Sequence, residues 1–305
     1  MELSYSPKLG ADEGIELEFF FHNEPNEAFR LKMLKFLNSL TPIFPFLKQM
    51  RLSVRSSNSF PHSAGIASSA SSMSALALCL CTLEDNLFGT LKEDKTFRQK
   101  ASFIARLGSG SACRSVYEGL AVWGETIQVE GSSDLYAVEY APLVHEVFNS
   151  FHDDILIVGK GEKSVSSTAG HALMEGNIYA SNRYQQAKIR MNELLSALKS
   201  GDLQTFGKIA EQEALTLHAM MMASNPPYIL MLPGSLEVIR KVQEYRKDTG
   251  HPVYFSLDAG PNIHLLYPDS IAAPVNDFIE NELVALCENG QVIRDQVGKG
   301  PLEMS

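Results

Sequence analysis

Apolar residues along this chain recur with two periods, and the change from one to the other marks where strands give way to helices. Short runs that alternate, or are continuously β-branched and aromatic, predict strands over 16–21, 52–55, 119–123, 136–139, 154–158, 252–257 and 263–267. Runs that repeat every three to four residues predict helices over 27–40, 73–83, 97–107, 173–180, 182–198, 202–222, 235–247 and 272–288. The 27–40 stretch shows the logic. Phe29, Met33, Phe36, Leu37 and Leu40 fall on one face, and Pro42 and Pro45 end the pattern. The charged residues 84–95 read as a connection, and a shift in pattern around 141–153 marks a passage between two units, 1–147 and 148–305.

Composition adds bounds to this α+β picture. With 305 residues, 45% of them apolar and 20% charged, the chain can bury two separate cores. A formal net charge of -10 counts against general nucleic-acid binding, so an anionic ligand requires a local cationic or N–H-rich pocket. Cys79, Cys81, Cys113 and Cys287 form no CxxC pair and read as reduced thiols of a cytoplasmic protein. The histidines lack HxxxH spacing, which gives a zinc site little support, and His218 reads as a packed or capped helix residue. No apolar run is long enough to span a bilayer, and residues 1–7 lack the order of a signal peptide.

Four small-residue segments interrupt the regular pattern. Residues 58–72 pass from a strand through Pro61, His62, Ser63, Ala64, Gly65, Ile66 and Ala67 to Ser68 and Ser69 at a helix start. Unpaired N–H groups there suit a phosphate, and the Ser68 and Ser69 hydroxyls can cap the helix, hold a phosphate or reach a magnesium ion. The segment 107–116, Leu-Gly-Ser-Gly-Ser-Ala-Cys-Arg-Ser-Val, alternates glycines, expected to adopt backbone that other residues resist, with Ser109 and Ser111. Arg114 follows where a helix is expected to begin, and its guanidinium suits a carboxylate or phosphate. A third loop, 163–171, carries Ser166, Ser167, Thr168, Gly170 and His171. Last, Asp258-Ala259-Gly260-Pro261-Asn262 places a carboxylate at a strand end on a tight turn.

Taken in order, these motifs resemble a known family. The run Pro61, Gly65, Ile66, Ala67, Ser68, Ser69, Ala70 is similar to the phosphate loop of the GHMP kinase superfamily and is not a Walker A loop. "GSGSACRS" and "DAGPN" resemble the diphosphomevalonate decarboxylases within it, as do Ser166-Ser167-Thr168 and the Leu-His-Ala and Pro-Pro pairs of 217–227. The resemblance implies a GHMP kinase fold, with a ribosomal-protein-S5-domain-2-like N-terminal domain and a ferredoxin-like C-terminal domain.

It also implies magnesium-ATP-dependent decarboxylation of mevalonate 5-diphosphate by a homodimer with no membrane or nucleic-acid partner. Asp258 and Arg114 would be catalytic. Ser109, Ser111, Arg114, Ser166, Ser167, Thr168 and Gly170 would hold the substrate, and residues 63–69 the ATP phosphates, with Ser69 near the metal. Two departures stand out. His171 occupies a position where the family has Met, and the family's Lys- and Tyr-bearing first segment has no counterpart. From this an N-terminally shortened chain with an exposed apolar sheet edge is expected. A kinase of the same superfamily and an inactive ligand-binding remnant are the alternative readings.

Overall fold

The computed structural model describes residues 1–8, 14–59, 68–159, 174 and 176–303. Its first half is built on a mixed sheet in the order β1 (Glu2–Pro7), β4 (Met50–Ser56), β2 (Glu16–Phe21), β3 (Glu24–Pro25). β2 runs parallel to β4, with Leu17 opposite Leu52 and Phe19 opposite Val54, so one apolar face is shared. Against this sheet lie α1 (Glu27–Ser39), α2 (Ser68–Phe88) and α3 (Asp94–Gly108), which close a core around Leu37, Leu52, Val54, Leu76, Leu80 and Ile104. Asn26 caps α1 by accepting the N–H of Phe29 at 3.0 Å. The outer strand β1 pairs with β4 and carries mostly exposed, polar residues, in place of the apolar edge expected there.

The second half holds an antiparallel sheet in the order β10 (Val292–Ile293), β7 (His152–Leu156), β9 (Ile263–Tyr267), β8 (Tyr254–Ser256). Its helices are α4 (Ala180–Ser200), α5 (Leu203–Met222), α6 (Pro233–Thr249) and α7 (Ala272–Phe278). Phe255, Leu265, Val238, Val242 and Ile279 sit at the centre of this second core. Between the halves, β5 (Ala121–Trp123) and β6 (Ala137–Glu139) form a small ribbon. A third cluster joins Val122 and Tyr140 to Phe148, Phe151, Leu195 and Leu198 of the second half. The Tyr140 hydroxyl donates to the Leu195 carbonyl at 3.2 Å, across that seam.

The structure differs from the sequence pattern where polar atoms, not apolar spacing, decide. α2 continues through Glu84–Phe88, expected as connection, because Lys100 of α3 neutralises Glu84 at 2.6 Å and charged residues on that face do not stop the helix. Gly89, at φ +65°, ends it. Residues 176–179 form a turn where a helix is expected, since Gly176 adopts φ +76° and breaks the run before α4. The single helix expected over 272–288 is α7 followed by a π turn, Ile279–Leu283, and a 3-10 turn, Val284–Leu286. Val275, Phe278, Ile279 and Leu283 are buried throughout, and periodicity reads that burial, not the hydrogen-bond offset. Strands β1 and β10 lie in stretches where no strand was expected; β10 is held by pairing with β7.

Candidate active site

The segment 109–116 does not start a helix at Arg114; Gly110–Val116 winds as 3-10 turns directly after α3. Its glycines serve close packing and not a left-handed backbone, since neither Gly108 nor Gly110 has a positive φ. A methyl at Gly108 would lie 2.5 Å from the Met73 sulfur, and one at Gly110 would lie 2.9 Å from the Trp123 ring. Close approach to α2 and β5, not a special backbone conformation, explains them.

Two residues of α3 pin this segment from beneath. Ser102, fully buried, donates to the Cys113 carbonyl at 2.8 Å and accepts the Ala137 N–H at 2.8 Å, so one hydroxyl joins α3, the 3-10 turns and β6. Arg98 donates to the Val116 carbonyl at 2.9 Å. With the backbone held, Ala112, Cys113 and Val116 point inward while Ser109 and Ser111 remain half-buried and Arg114 exposed. Burial pushes the Cys113 thiol up, which leaves it protonated and inert. The Arg114 guanidinium stands 6.0 Å from the centre of the Trp123 ring, a contact that aligns the side chain without consuming its donors.

α2 brings the phosphate-loop end to the same place. Its first residues, Ser68 and Ser69, open a 21-residue helix whose N-terminal N–H groups have no acceptor within the helix. The Ser69 and Ser109 hydroxyls are 3.3 Å apart, although forty residues separate them in the chain. Ser63, Ala64, Gly65, Ile66 and Ala67 lie outside the described residues, as do Ser166, Ser167, Thr168, Gly170 and His171.

Asp258 closes the turn after β8, with its side chain exposed and its main chain clamped. The Asp258 carbonyl accepts from Gly260 N–H at 2.8 Å and bonds His218 Nε2 at 3.0 Å. Further along the turn, Ser235 donates to the Pro261 carbonyl at 2.6 Å, and buried Asn262 accepts the Gly159 N–H at 3.1 Å. That last bond links the turn to the residue preceding the 160–173 segment. No hydrogen bond or ion pair among the described residues joins Asp258 to Ser69, Ser109, Ser111 or Arg114.

Ser102, Trp123 and Ser235 carry no motif in the sequence, Asn262 enters only as the end of the Asp258 turn, and His218, expected as a packed or capped helix residue, bonds the Asp258 carbonyl. For Ser102 and His218 the available signal is the same, a polar residue among buried positions of a helix. Among the described residues no group of three His, Cys, Asp or Glu could hold a metal, and no helix is long and apolar enough to cross a membrane. The candidate groups among the described residues are the Ser69, Ser109 and Ser111 hydroxyls, the Arg114 guanidinium and the Asp258 carboxylate, of which Ser69 and Ser109 are in contact.

Comparison with known proteins gives one consistent result. The diphosphomevalonate decarboxylase-like N-terminal domain matches residues 10–136, and the mevalonate 5-diphosphate decarboxylase C-terminal domain matches residues 154–301. Diphosphomevalonate decarboxylase of Candida albicans is 31% identical over 290 residues, covering 90% of this chain and 77% of its own length. That of Eremothecium gossypii is 31% identical over 239 residues, 76% of this chain and 56% of its own, so the chain spans little more than half of that relative. Among solved structures, MDDEF in complex with MVAPP, AMPPCP and magnesium aligns with a TM-score of 0.79 at 26% identity, over 98% of this chain and 85% of that one. Mevalonate diphosphate decarboxylase of Staphylococcus aureus aligns with a TM-score of 0.78 at 26% identity, over 98% and 88%.

Proposed function

The chain belongs to the diphosphomevalonate decarboxylase family, and from that premise we propose that it decarboxylates mevalonate 5-diphosphate to isopentenyl diphosphate at the expense of magnesium-ATP. The α+β architecture is the GHMP kinase fold of the solved relatives. A division into domains 1–147 and 148–305 is supported by the separate cores of the two halves. The observation that carries the functional reading is the meeting of Ser69 with Ser109: the end of the phosphate loop and the start of the carboxylate-binding motif share one spot.

The residues fit the groups they would hold. Hydroxyls and N–H groups at the start of α2 are phosphate donors and leave a magnesium ion to the phosphates themselves, in keeping with the absence of a carboxylate cluster among the described residues. Magnesium, when bound near Ser69, would neutralise charge on the triphosphate. Ser63 to Ser69 would cradle those phosphates, and Ser166, Ser167, Thr168 and Gly170 the substrate diphosphate. Arg114 holds the substrate carboxylate, with Ser109 and Ser111 donating beside it. Asp258 orients or deprotonates the tertiary 3-hydroxyl for attack on the γ-phosphate. Phosphate then leaves C3 with its bonding electrons while the C1–C2 bond breaks. The freed pair forms the C2–C3 double bond and C1 departs as carbon dioxide. A cytoplasmic homodimer is part of the same reading.

Incubation of the 305-residue chain with magnesium-ATP and mevalonate 5-diphosphate, with ADP and carbon dioxide quantified together, tests it. Equal yields are expected. ADP without carbon dioxide would make the protein a kinase, and neither product would make it a ligand-binding remnant.

A further inference from the structure

One face of α5 is pressed against the strand that leads into the Asp258 turn, and it is built for that contact. At Gly207 the Tyr254 ring of β8 comes so near that a methyl group would lie 2.0 Å from it, so only glycine lets strand and helix meet there. One turn on, Glu211 accepts from Arg246 of α6 at 2.7 Å, and that guanidinium also donates to the Val253 carbonyl at 2.6 Å. Ala214, next on this face, is buried. His218 follows, 2% exposed, with Nε2 on the Asp258 carbonyl. Gly207, Glu211, Ala214 and His218 recur at helical spacing, so helix and strand are registered over their shared length and His218 is the last point of the register.

A carbonyl oxygen has no proton to give, so the hydrogen bond fixes His218 as the tautomer protonated at Nε2. Gly260 N–H reaches the same oxygen, and the peptide plane after Asp258 is thereby held on two sides. Asp258 is exposed, and its carboxylate accepts no hydrogen bond from a described side chain; the nearby His264 feels only its charge. The direction of the carboxylate is thus set through its own backbone. We propose that His218 is a positioning residue which, by donating Nε2–H to the Asp258 carbonyl, aims the Asp258 carboxylate at the hydroxyl it acts on. The inference deepens the decarboxylase reading and rests on it.

The test compares His218→Met, which fills similar volume without a donor, with His218→Gln, whose amide N–H reaches the Nε2 position. His218→Met should lower kcat on the order of 10- to 100-fold with KM for both substrates unchanged. His218→Gln should stay within about threefold of wild type. A purely structural role would instead lower thermal stability in both and leave kcat per folded molecule intact. In wild-type protein labelled with 15N-histidine, His218 should show the Nε2–H tautomer. Equal kcat in wild type and folded His218→Met, equal losses in both variants, or an Nδ1–H signal would each overturn the proposal. A wild type that forms no product overturns the reaction reading separately; the nitrogen spectrum then still decides the hydrogen bond.

Discussion

The Arg114 segment and the Asp258 turn both present one charged side chain to solvent from a clamped main chain, but they are clamped in opposite ways. Arg114 is held at a distance: Ser102 and Arg98 of the adjoining helix grip the carbonyls of Cys113 and Val116, and the guanidinium only rests over Trp123. Asp258 is held at its own carbonyl, by a histidine forty residues earlier in the chain, while Ser235 and Asn262 fix the rest of the turn. A group that must bind a substrate carboxylate tolerates some freedom, since an arginine fork adjusts to its partner. A group that must meet a hydroxyl in a reacting geometry does not. The difference in anchoring thus follows the difference in proposed task.

The sharpest way to break the comparison is to change the two charged groups themselves. Asp258→Asn should lower kcat by roughly 10²–10⁴-fold, the span of a lost general base, with KM for mevalonate 5-diphosphate near wild type. Arg114→Gln should raise that KM, because it removes an ion pair made in ground and transition states alike. Steady-state kinetics on both variants separates the two. The opposite pattern, a KM effect at Asp258 and a pure kcat effect at Arg114, would reverse the assigned roles.

A smaller effect is expected from the anchors of the Arg114 segment. Ser102→Ala removes one buried hydroxyl and with it two hydrogen bonds to the main chain, at the Cys113 carbonyl and the Ala137 N–H. The cost should be about 2–3 kcal/mol of unfolding free energy, seen as a lower midpoint in urea. Activity per folded molecule should change less than in His218→Met. A Ser102→Ala protein as stable as wild type would show that water replaces the hydroxyl.

These contrasts also explain how much of the molecule could be read from the sequence. Apolar period located β2 at 16–21 and β9 at 263–267 to the residue, because burial on alternate positions leaves a direct trace. The small-residue motifs located Ser69, Ser109, Arg114 and Asp258, of which the structure brings the first two together. Ser102 and His218 were not legible as anchors, since each acts on a backbone atom and a carbonyl has the same chemistry at every position. The glycines at 108 and 110 were found for a different reason from the true one: a sequence shows that a side chain is missing, but not that Met73 and Trp123 fill the space.

The smallest expected effect separates the two histidines near the Asp258 turn by the sign of their pH dependence. Burial lowers the pKa of His218 from 6.5, while its bond to the Asp258 carbonyl opposes the shift only in part. Below pH 6.5 the unfolded chain therefore binds more protons at this position than the folded one, and the stability present above that pH is lost as pH falls. His264 is opposite. Burial pulls its pKa down, but the bond to Asp153 at 2.8 Å and the charges of Asp153, Asp258 and Asp295 outweigh it and the pKa is raised. Its contribution is complete below pH 6.5 and is lost as pH rises through the folded value. Urea midpoints measured from about pH 5.5 to 8 should thus show His218→Gln losing the acid-side decline of wild type and His264→Gln losing an acid-side gain. Parallel curves for the two variants would mean that the two rings do not differ in protonation, and that neither the carbonyl nor the carboxylate sets their charge.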